Sequence, residues 1–575
     1  MSDDISGGQL VVRVLVSLGV RHVFGIPGGQ TLAITDAILD EPAIEFITAR
    51  HEGAAAVMAD AYGRLTGTPG VCLSTTGPGA TNLLTGVGGA MRDSSPCLVI
   101  TCNNNGENIY KDDAQNADHI AIFRSITKWS RLVAHGTAIK QALDEAYVQA
   151  MTGNPGPVHL DFARDTIESR LPAPDVAPVH PSRSWVSHRP VASASSITRA
   201  AELIATASHP VLWVGNGCAR SGAGPAVMAL SEALEIPVVT TFNGIGVLPT
   251  THALAFGALS RMGTSLTSRV VGDADLVIAV GNSLNAVSTG RWRLRLPQVV
   301  QIDIDPAMIG RYYADCTYGL VGDAKATLER LTVLLAGDDR AVAAAQQRVD
   351  WVRELQQLGA EWWDGNHEDS PGTDCASDVA DDGLSPADVV RSLRSVTPDN
   401  ALLIPDAGNP GVWSYLWPIR EGGGYLKPVG FGNMGFAVPA AIAAAVLDPE
   451  RPVLALVGDG SLGMTLAELE TLARVGGRVV VVVLNDSGYG NIRQEQILHY
   501  GGNRTIGVDF GPADYSKASE ALGVPGKRLA SLSELTAAVE KAFANDSPAL
   551  FEVPINRQVS AWTYPAFTMH DAEDG

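Results

Sequence analysis

Seven residues at 479–485, VVVVVLN, make a continuous apolar run that ends in Asn-Asp, and runs of the same kind recur along the chain. The others are VCLST (71–75), CLVIT (97–101), PVLWVG (210–215), DLVIAVG (275–281) and PVLALVGDG (452–460). A strand with one wet face alternates apolar and polar residues, so a run without alternation suits a strand covered on both faces. Longer Ala/Leu-rich segments lie between the runs and offer helical cover, which implies parallel strands joined by crossover helices. The runs fall into three blocks, so the expected fold class is α/β, with three doubly wound parallel-sheet domains. In such sheets, ligands sit at the carboxyl ends of the strands, where polar loops emerge.

A length of 575 residues exceeds what one core organises; roughly 150 residues per domain suggests three or four units. Two stretches break the packed pattern: 171–192 is rich in Pro and Ser, and 364–383 is acidic with Ser, Gly and Asp. Both compositions suit linkers. The expected organisation is a first domain at 1–170, a linker at 171–192, a central domain at 193–340, a helix with an acidic linker at 341–383, and a third domain with a C-terminal tail at 384–575. A net charge of −21, with no Lys/Arg cluster to offset it, excludes a nucleic-acid partner. The opening residues carry acids where a signal peptide needs bases, and no apolar run reaches the roughly 18 residues that span a bilayer. A cytoplasmic protein without a membrane partner is expected. The six cysteines (72, 97, 102, 218, 316, 375) show no CxxC or zinc spacing and are expected to be reduced.

The chemistry gathers in the third block. Its strand VLALV runs into Gly458-Asp459-Gly460-Ser461, followed by the helix-compatible MTLAELETLARV. Glycines let main-chain N–H groups approach an anion at a helix start, and Asp459 offers a hard oxygen ligand. Twenty-five residues after Gly460, the second strand ends in Asn485-Asp486-Ser487-Gly488-Tyr489. Mg2+ takes a few protein oxygens together with phosphate and water, a set that Asp459, Asp486 and a carbonyl near Gly488 could begin. A Gly-Asp-Gly turn alone is a common strand end; the paired strand ending in Asn-Asp distinguishes this one.

At this point the chain resembles the thiamine-diphosphate enzyme superfamily, in particular the group of acetolactate synthases, benzaldehyde lyase and related 2-oxo acid decarboxylases. The family motif usually ends in Asn-Asn; Asp486 takes the second place here, as in catabolic acetolactate synthases. An acid still ligates Mg2+, so the resemblance implies a retained metal site with one added charge. Gly460, Ser461 and Tyr489 fall within the cofactor-binding segment. The first block carries Arg50-His51-Glu52-Gly53-Ala54-Ala55, MADAYGRLTG and LSTTGPGATN (73–82), similar to the family in order and spacing. Glu52 falls on the glutamate that, in the family mechanism, bonds N1' of the aminopyrimidine and promotes loss of the thiazolium C2 proton. In the family this glutamate and the diphosphate site belong to different subunits, which implies a homodimer at least, with homotetramers common.

Block three opens with LSPADVVRSL, expected to be a capped helix, and continues to LLIPDAGNPGVW (402–413). Gly408, Asn409 and Pro410 match the family loop against the diphosphate, where acetolactate synthases usually have Gln-His at the last two positions. Phe431-Gly432-Asn433-Met434-Gly435-Phe436 is similar to the wedge segment. The resemblance implies that Met434 props the cofactor into a V shape and that the Gly432 carbonyl accepts from its amino group.

Substrate is less specified. Biosynthetic acetolactate synthases carry Phe-Asp-Asp-Arg in the central domain, the Arg gripping the second 2-oxo acid; here the run Gly281–Val287 puts Val287 at that Arg, and Glu495 replaces a Trp. A carboxylate acceptor loses a charge-assisted partner, roughly several kcal/mol, so a role in branched-chain amino-acid synthesis is not expected. Gln30, in Phe24-Gly25-Ile26-Pro27-Gly28-Gly29-Gln30, stands where benzaldehyde lyase has a pocket histidine, and Gln115 matches a glutamine of the carboligases. With Gly25, these two join Glu52 as candidate catalytic residues. The central block, with Gly215-Asn216-Gly217 and QIDIDPAMIG (301–310), is similar to a domain that binds FAD in some relatives and stays empty in others. An empty central domain is expected over an FAD-bearing one. The resemblance implies decarboxylation or cleavage of a small 2-oxo or 2-hydroxy carbonyl donor and transfer to a second carbonyl. The alternatives are an FAD-linked 2-oxo acid oxidase and, from another class, a catalytically silent cofactor-binding or regulatory subunit.

Overall fold

The computed structural model describes residues 4–172, 189–260, 262–367 and 383–569, and in them the three blocks form three parallel sheets. The first has six strands in the spatial order Glu45–Thr48, His22–Gly25, Gly70–Ser74, Cys97–Asn103, Pro157–Ala163 and Trp129–Val133. The second orders Ala255–Ala258, Val238–Thr240, Pro210–Val214, Leu276–Val280, Gln298–Asp303 and Thr317–Val321. The third has five strands: Leu402–Pro405, Val453–Gly458, Val479–Asn485, Ala549–Pro554 and Gly526–Arg528. Cys97–Asn103 and Val479–Asn485 are buried at every position, as runs without alternation require.

Register puts the candidate loops of the third sheet on one edge. Val453 pairs with Val479 and Gly458 with Leu484, so Asp459 and Asp486 leave neighbouring strands at nearly the same height. Pro405 pairs with Leu456, and its strand therefore releases the Asp406–Pro410 loop beside them.

The first and third domains share one hydrophobic core. It joins the helix Glu52–Thr66, EGAAAVMADAYGRLT, to the helix Ala437–Leu447, AVPAAIAAAVL. Alanine on both surfaces lets the two helices approach closely, so the start of the first is held by the packing of the second. The 29-residue helix Asp339–His367 covers the central domain. Its buried Arg348 donates to the carbonyls of Leu234, Ile204 and Ala207 at 3.0, 3.2 and 2.8 Å, satisfying acceptors left open where two helices end.

Several elements differ from the sequence-based expectation. Asp4–Ser6 pairs antiparallel with Arg170–Pro172, so ladder pairing carries the first domain into the first residues of the expected linker. Ser385 stands at the N-cap of Pro386–Val396 without making a side-chain capping bond. Residues 173–188 of one expected linker and 368–382 of the other, with Cys375, lie outside the described residues. The other five cysteines are unpaired. No helix among the described residues is long and apolar enough to cross a membrane.

Candidate active site

The strand Val453–Gly458 delivers Asp459 into the first turn of the helix Asp459–Thr465, earlier than the Met464 start suggested by the sequence. Asp459 is 2% exposed, and its Oδ2 accepts from the Gly488 N–H at 2.9 Å. Gly488 thus contributes through its N–H. Burial, and then the charge of Asp486, push the Asp459 carboxyl up to about 7. Burial also raises Asp486, against the pull of Arg493, whose guanidinium pairs with its Oδ2. The charge gained by having Asp in place of Asn is therefore offset within the protein. Arg493 is itself buried, with Nη1 3.4 Å from Asp509.

Around this pair, Asn491 donates to the Asn409 side chain at 3.0 Å. A Cβ on Gly460 would stand 2.8 Å from the Tyr489 ring and 3.5 Å from Met434 Cε, and one on Gly458 would meet Pro410 at 3.7 Å. Ser461 bonds the buried Asp406. Gly408 turns the chain at φ +81° to start the helix Asn409–Trp413, and Gly432 takes φ +66° before Met434; both conformations favour glycine. The structure thus gathers the expected residues of the third domain at one sheet edge.

The first domain gathers a second group. Glu52 opens the helix Glu52–Thr66, with His51 Nδ1 accepting the Gly53 N–H at 2.9 Å as its cap. Asn82 donates to Glu52 Oε2 at 2.9 Å, and a Cβ on Gly79 would lie 3.4 Å from Oε1. The Gln30 amide is held between Thr75, which donates to it at 2.8 Å, and Asn104, which accepts from it at 3.1 Å. Gln115 is exposed at φ +57° and its carbonyl accepts from Thr76 at 3.3 Å. Gly25 is engaged elsewhere: its carbonyl accepts from Ala49, and a Cβ there would strike the Leu73 carbonyl at 2.1 Å, so its place is close strand packing.

Among the described residues, no hydrogen bond or ion pair joins Glu52 to the Asp459–Asp486 group. Glu468, which the sequence presents as an ordinary helix acid, links the two domains directly ahead of Glu52. Its Oε1 accepts from the N–H groups of Arg50 and His51 at 3.0 and 2.9 Å, and its Oε2 from Thr471 at 2.8 Å. The carboxylate is 1% exposed and sits directly ahead of the Glu52 helix.

Three family models match along the chain: the thiamine pyrophosphate enzyme N-terminal TPP binding domain at residues 5–122, the central domain at 197–331, and the C-terminal TPP binding domain at 406–553. The chain belongs to the thiamine pyrophosphate enzyme family. The outer two matches contain the Glu52 group and the Asp459–Asp486 group respectively. A probable acetolactate synthase large subunit of Methanocaldococcus jannaschii is 32% identical over 565 residues, 96% of this chain and 92% of that protein. The acetolactate synthase isozyme 3 large subunit of Escherichia coli K12 is 33% identical, covering 94% and 92%. The acetolactate synthase large subunit of Corynebacterium glutamicum is also 33% identical, covering 97% and 88%. This thiamine pyrophosphate enzyme is acetolactate synthase-like over nearly its whole length.

A cavity of about 460 Å³ lies at the carboxyl edge of the central sheet, where Gly215, Asn216 and Gly217 line one wall and residues of the first and third domains, Arg92 and Gly430 among them, line others. Val287 lines it too and is 43% exposed. Arg92, Arg220 and Arg311 supply the cavity with cations from outside the Gly281–Val287 run, which sequence inspection of that run alone could not show. Glu495 is half-buried on the helix Gly490–Tyr500, two residues beyond Arg493.

Proposed function

We propose that the chain is a thiamine diphosphate-dependent carboligase. In this reading it decarboxylates or cleaves a small 2-oxo or 2-hydroxy carbonyl donor and transfers the donor's acyl carbon to a second carbonyl. One observation supports the proposal: the chain carries both an amide-supported Glu52 and a pair of buried carboxylates at adjoining strand ends. Thiamine diphosphate, when bound, supplies a nucleophilic thiazolium carbon and a ring that takes up the electron pair left by the donor.

The residues present fit a divalent cation. Two carboxylates converge, and the charge of one raises the proton affinity of the other, a repulsion that a dication relieves. Mg2+ takes few protein oxygens, and carbonyl, phosphate and water oxygens would complete its shell beside the two carboxylates. Asp459 and Asp486 would hold the ion, with Gly488 fixing the first carboxylate. Asn409, Gly460, Ser461 and Tyr489 would surround the diphosphate. Met434 would set the angle between the cofactor rings, beside the Gly432 carbonyl. Glu52 would share a proton with the pyrimidine, its carboxylate oriented by Asn82. Gln30 and Gln115 would meet substrate. With Val287 and Glu495 in place of Arg and Trp, a neutral carbonyl acceptor suits this site better than a second 2-oxo acid.

The family resemblance, in which this glutamate and the diphosphate site come from different subunits, supports a homodimer or homotetramer, in which each chain would lend Glu52 to its partner's diphosphate site. A second reading, a flavin-linked 2-oxo acid oxidase, draws on arginines of the central cavity, Arg92, Arg220 and Arg311 among them, which suit a diphosphate. A colourless purified protein without visible flavin absorption would remove it. The carboligase reading is tested with Glu52→Gln in a screen of 2-oxo acids for CO2 release, with and without aldehyde acceptors. Turnover should fall by roughly 100-fold or more while calorimetric binding of thiamine diphosphate and Mg2+ persists. Near-normal turnover in the variant would overturn the reading.

A further inference from the structure

Behind Glu52 lies a buried polar network with no counterpart among the expected site residues. His119, 1% exposed, opens the helix His119–Phe123. Its Nε2 lies 3.0 Å from the Gly77 nitrogen, whose N–H donates to it. A main-chain N–H can face only a lone pair, so Nε2 is unprotonated and the ring proton sits on Nδ1. Nδ1 is 2.9 Å from Asp161 Oδ1, which accepts that proton's hydrogen bond and fixes the tautomer. The carboxylate is held in turn by Thr101, at 2.6 Å on Oδ1, and Asn103, at 2.8 Å on Oδ2.

Gly77 is the turn on which both parts of the Glu52 group depend. It takes φ +60° and is the N-cap of the short helix Pro78–Asn82, whose last residue donates to Glu52. A Cβ at Gly77 would lie 2.2 Å from the Gln115 carbonyl, so the turn and Gln115 share one packed position. Thr76, beside it, donates to that same carbonyl. The network also extends to Gln30, because Asn103 accepts from the Asn104 N–H at 2.8 Å and Asn104 holds the Gln30 amide.

We propose that His119 is a positioning residue: by accepting the Gly77 N–H it fixes the turn that sets Asn82, and so Glu52, on one side and Gln115 on the other. Asp161 serves by keeping the imidazole in the tautomer that can accept. The proposal rests on Glu52 being the carboxylate that activates the cofactor, and its test therefore avoids any assumption about the donor.

The measurement is the rate at which the thiazolium C2 proton of bound thiamine diphosphate exchanges with deuterium, read by quenched-flow NMR on the Mg2+-loaded enzyme, alongside calorimetric cofactor affinity. His119→Leu removes the acceptor, His119→Gln returns an oxygen within reach of Gly77, and Asp161→Asn presents an N–H to Nδ1 and so drives the ring to the wrong tautomer. His119→Leu and Asp161→Asn should slow exchange by roughly tenfold or more with cofactor affinity unchanged, and His119→Gln should restore most of the rate. Wild-type exchange in His119→Leu, or equal losses in the Leu and Gln variants, would overturn the proposal. Should His119→Leu fail to fold, Asp161→Asn and His119→Gln decide it by the same criterion. Glu52→Gln separates the two levels: if it leaves exchange fast, the reading of Glu52 fails, whereas if it alone slows exchange, only the role of His119 fails.

Discussion

In the C-terminal domain, two carboxylates at neighbouring strand ends are opposed by a guanidinium, whereas in the N-terminal domain Glu52 is oriented by an amide on a short helix whose cap rests on an imidazole. Among the described residues no cation pairs with Glu52. The difference fits the role proposed for each half. In the proposed function the C-terminal pair would hold a dication, and the Arg493 guanidinium offsets the charge of Asp486 in the protein alone. A carboxylate that shares a proton with a weak base works best where no strong cation holds it permanently ionised, so its position has to come from neutral donors.

The strongest way to break this comparison is to remove the guanidinium. Arg493→Met leaves Asp486 buried without a partner, and the metal-free protein should lose about 3–5 kcal/mol in chemical denaturation. Asp486→Asn on the same background should recover most of it, and a double-mutant cycle that finds no coupling would deny the pair its role. Next in size, Asp459→Ala should weaken Mg2+-dependent binding of thiamine diphosphate by roughly 100-fold, about 2.7 kcal/mol, in the calorimeter. If Glu52→Gln weakened binding equally, the division of labour between the halves would be wrong. Glu468→Ala should cost about 2 kcal/mol of stability, since two main-chain donors ahead of Glu52 lose their acceptor, and Glu468→Gln should lose less because one oxygen remains. Equal destabilisation by the two would point to charge in place of hydrogen bonding.

The two halves also differ in how far the sequence reveals them. The sheets were legible because unalternating runs such as VVVVVLN require burial on both faces, and they carry Asp459 and Asp486 to their ends by direct continuation. Arg493 follows Asp486 by seven residues and could have been sought as the complement of an added acid. The supports of Glu52 left no such trace. His119 is 42 residues from Gly77 and 42 from Asp161, and Glu468 is 417 from His51. A polar residue whose partner comes from another strand or domain looks locally like a solvated one. Gly25 shows the reverse: its neighbours in sequence suggested a pocket residue, while the distant Leu73 carbonyl determines why glycine stands there.

The smallest expected effect tests the neutral character of the N-terminal network. His159 stacks on Phe123 with ring centroids 4.1 Å apart and is fully buried, and burial lowers its pKa to about 3 against the opposing pull of Asp161. Thr101 spends its only proton on Asp161, so the 2.8 Å contact to His159 Nε2 has the ring donating, and Ser130 then donates to Nδ1 at 2.8 Å. Protonating the folded ring would break that arrangement, while the unfolded chain takes up a proton near the ordinary histidine value of about 6.5. Between these values the unfolded state binds more protons, so stability falls as pH drops below about 6.5, at up to ~1.4 kcal/mol per pH unit from this residue. His159→Gln removes one proton's worth of that slope, and denaturation midpoints measured between neutral pH and mild acid should fall less steeply in the variant. The change should be the same in an Asp459→Ala background, whose alteration lies in the other domain. An unaltered slope in His159→Gln would mean that the ring titrates in the folded protein as it does in the unfolded chain, and that the N-terminal network admits charge.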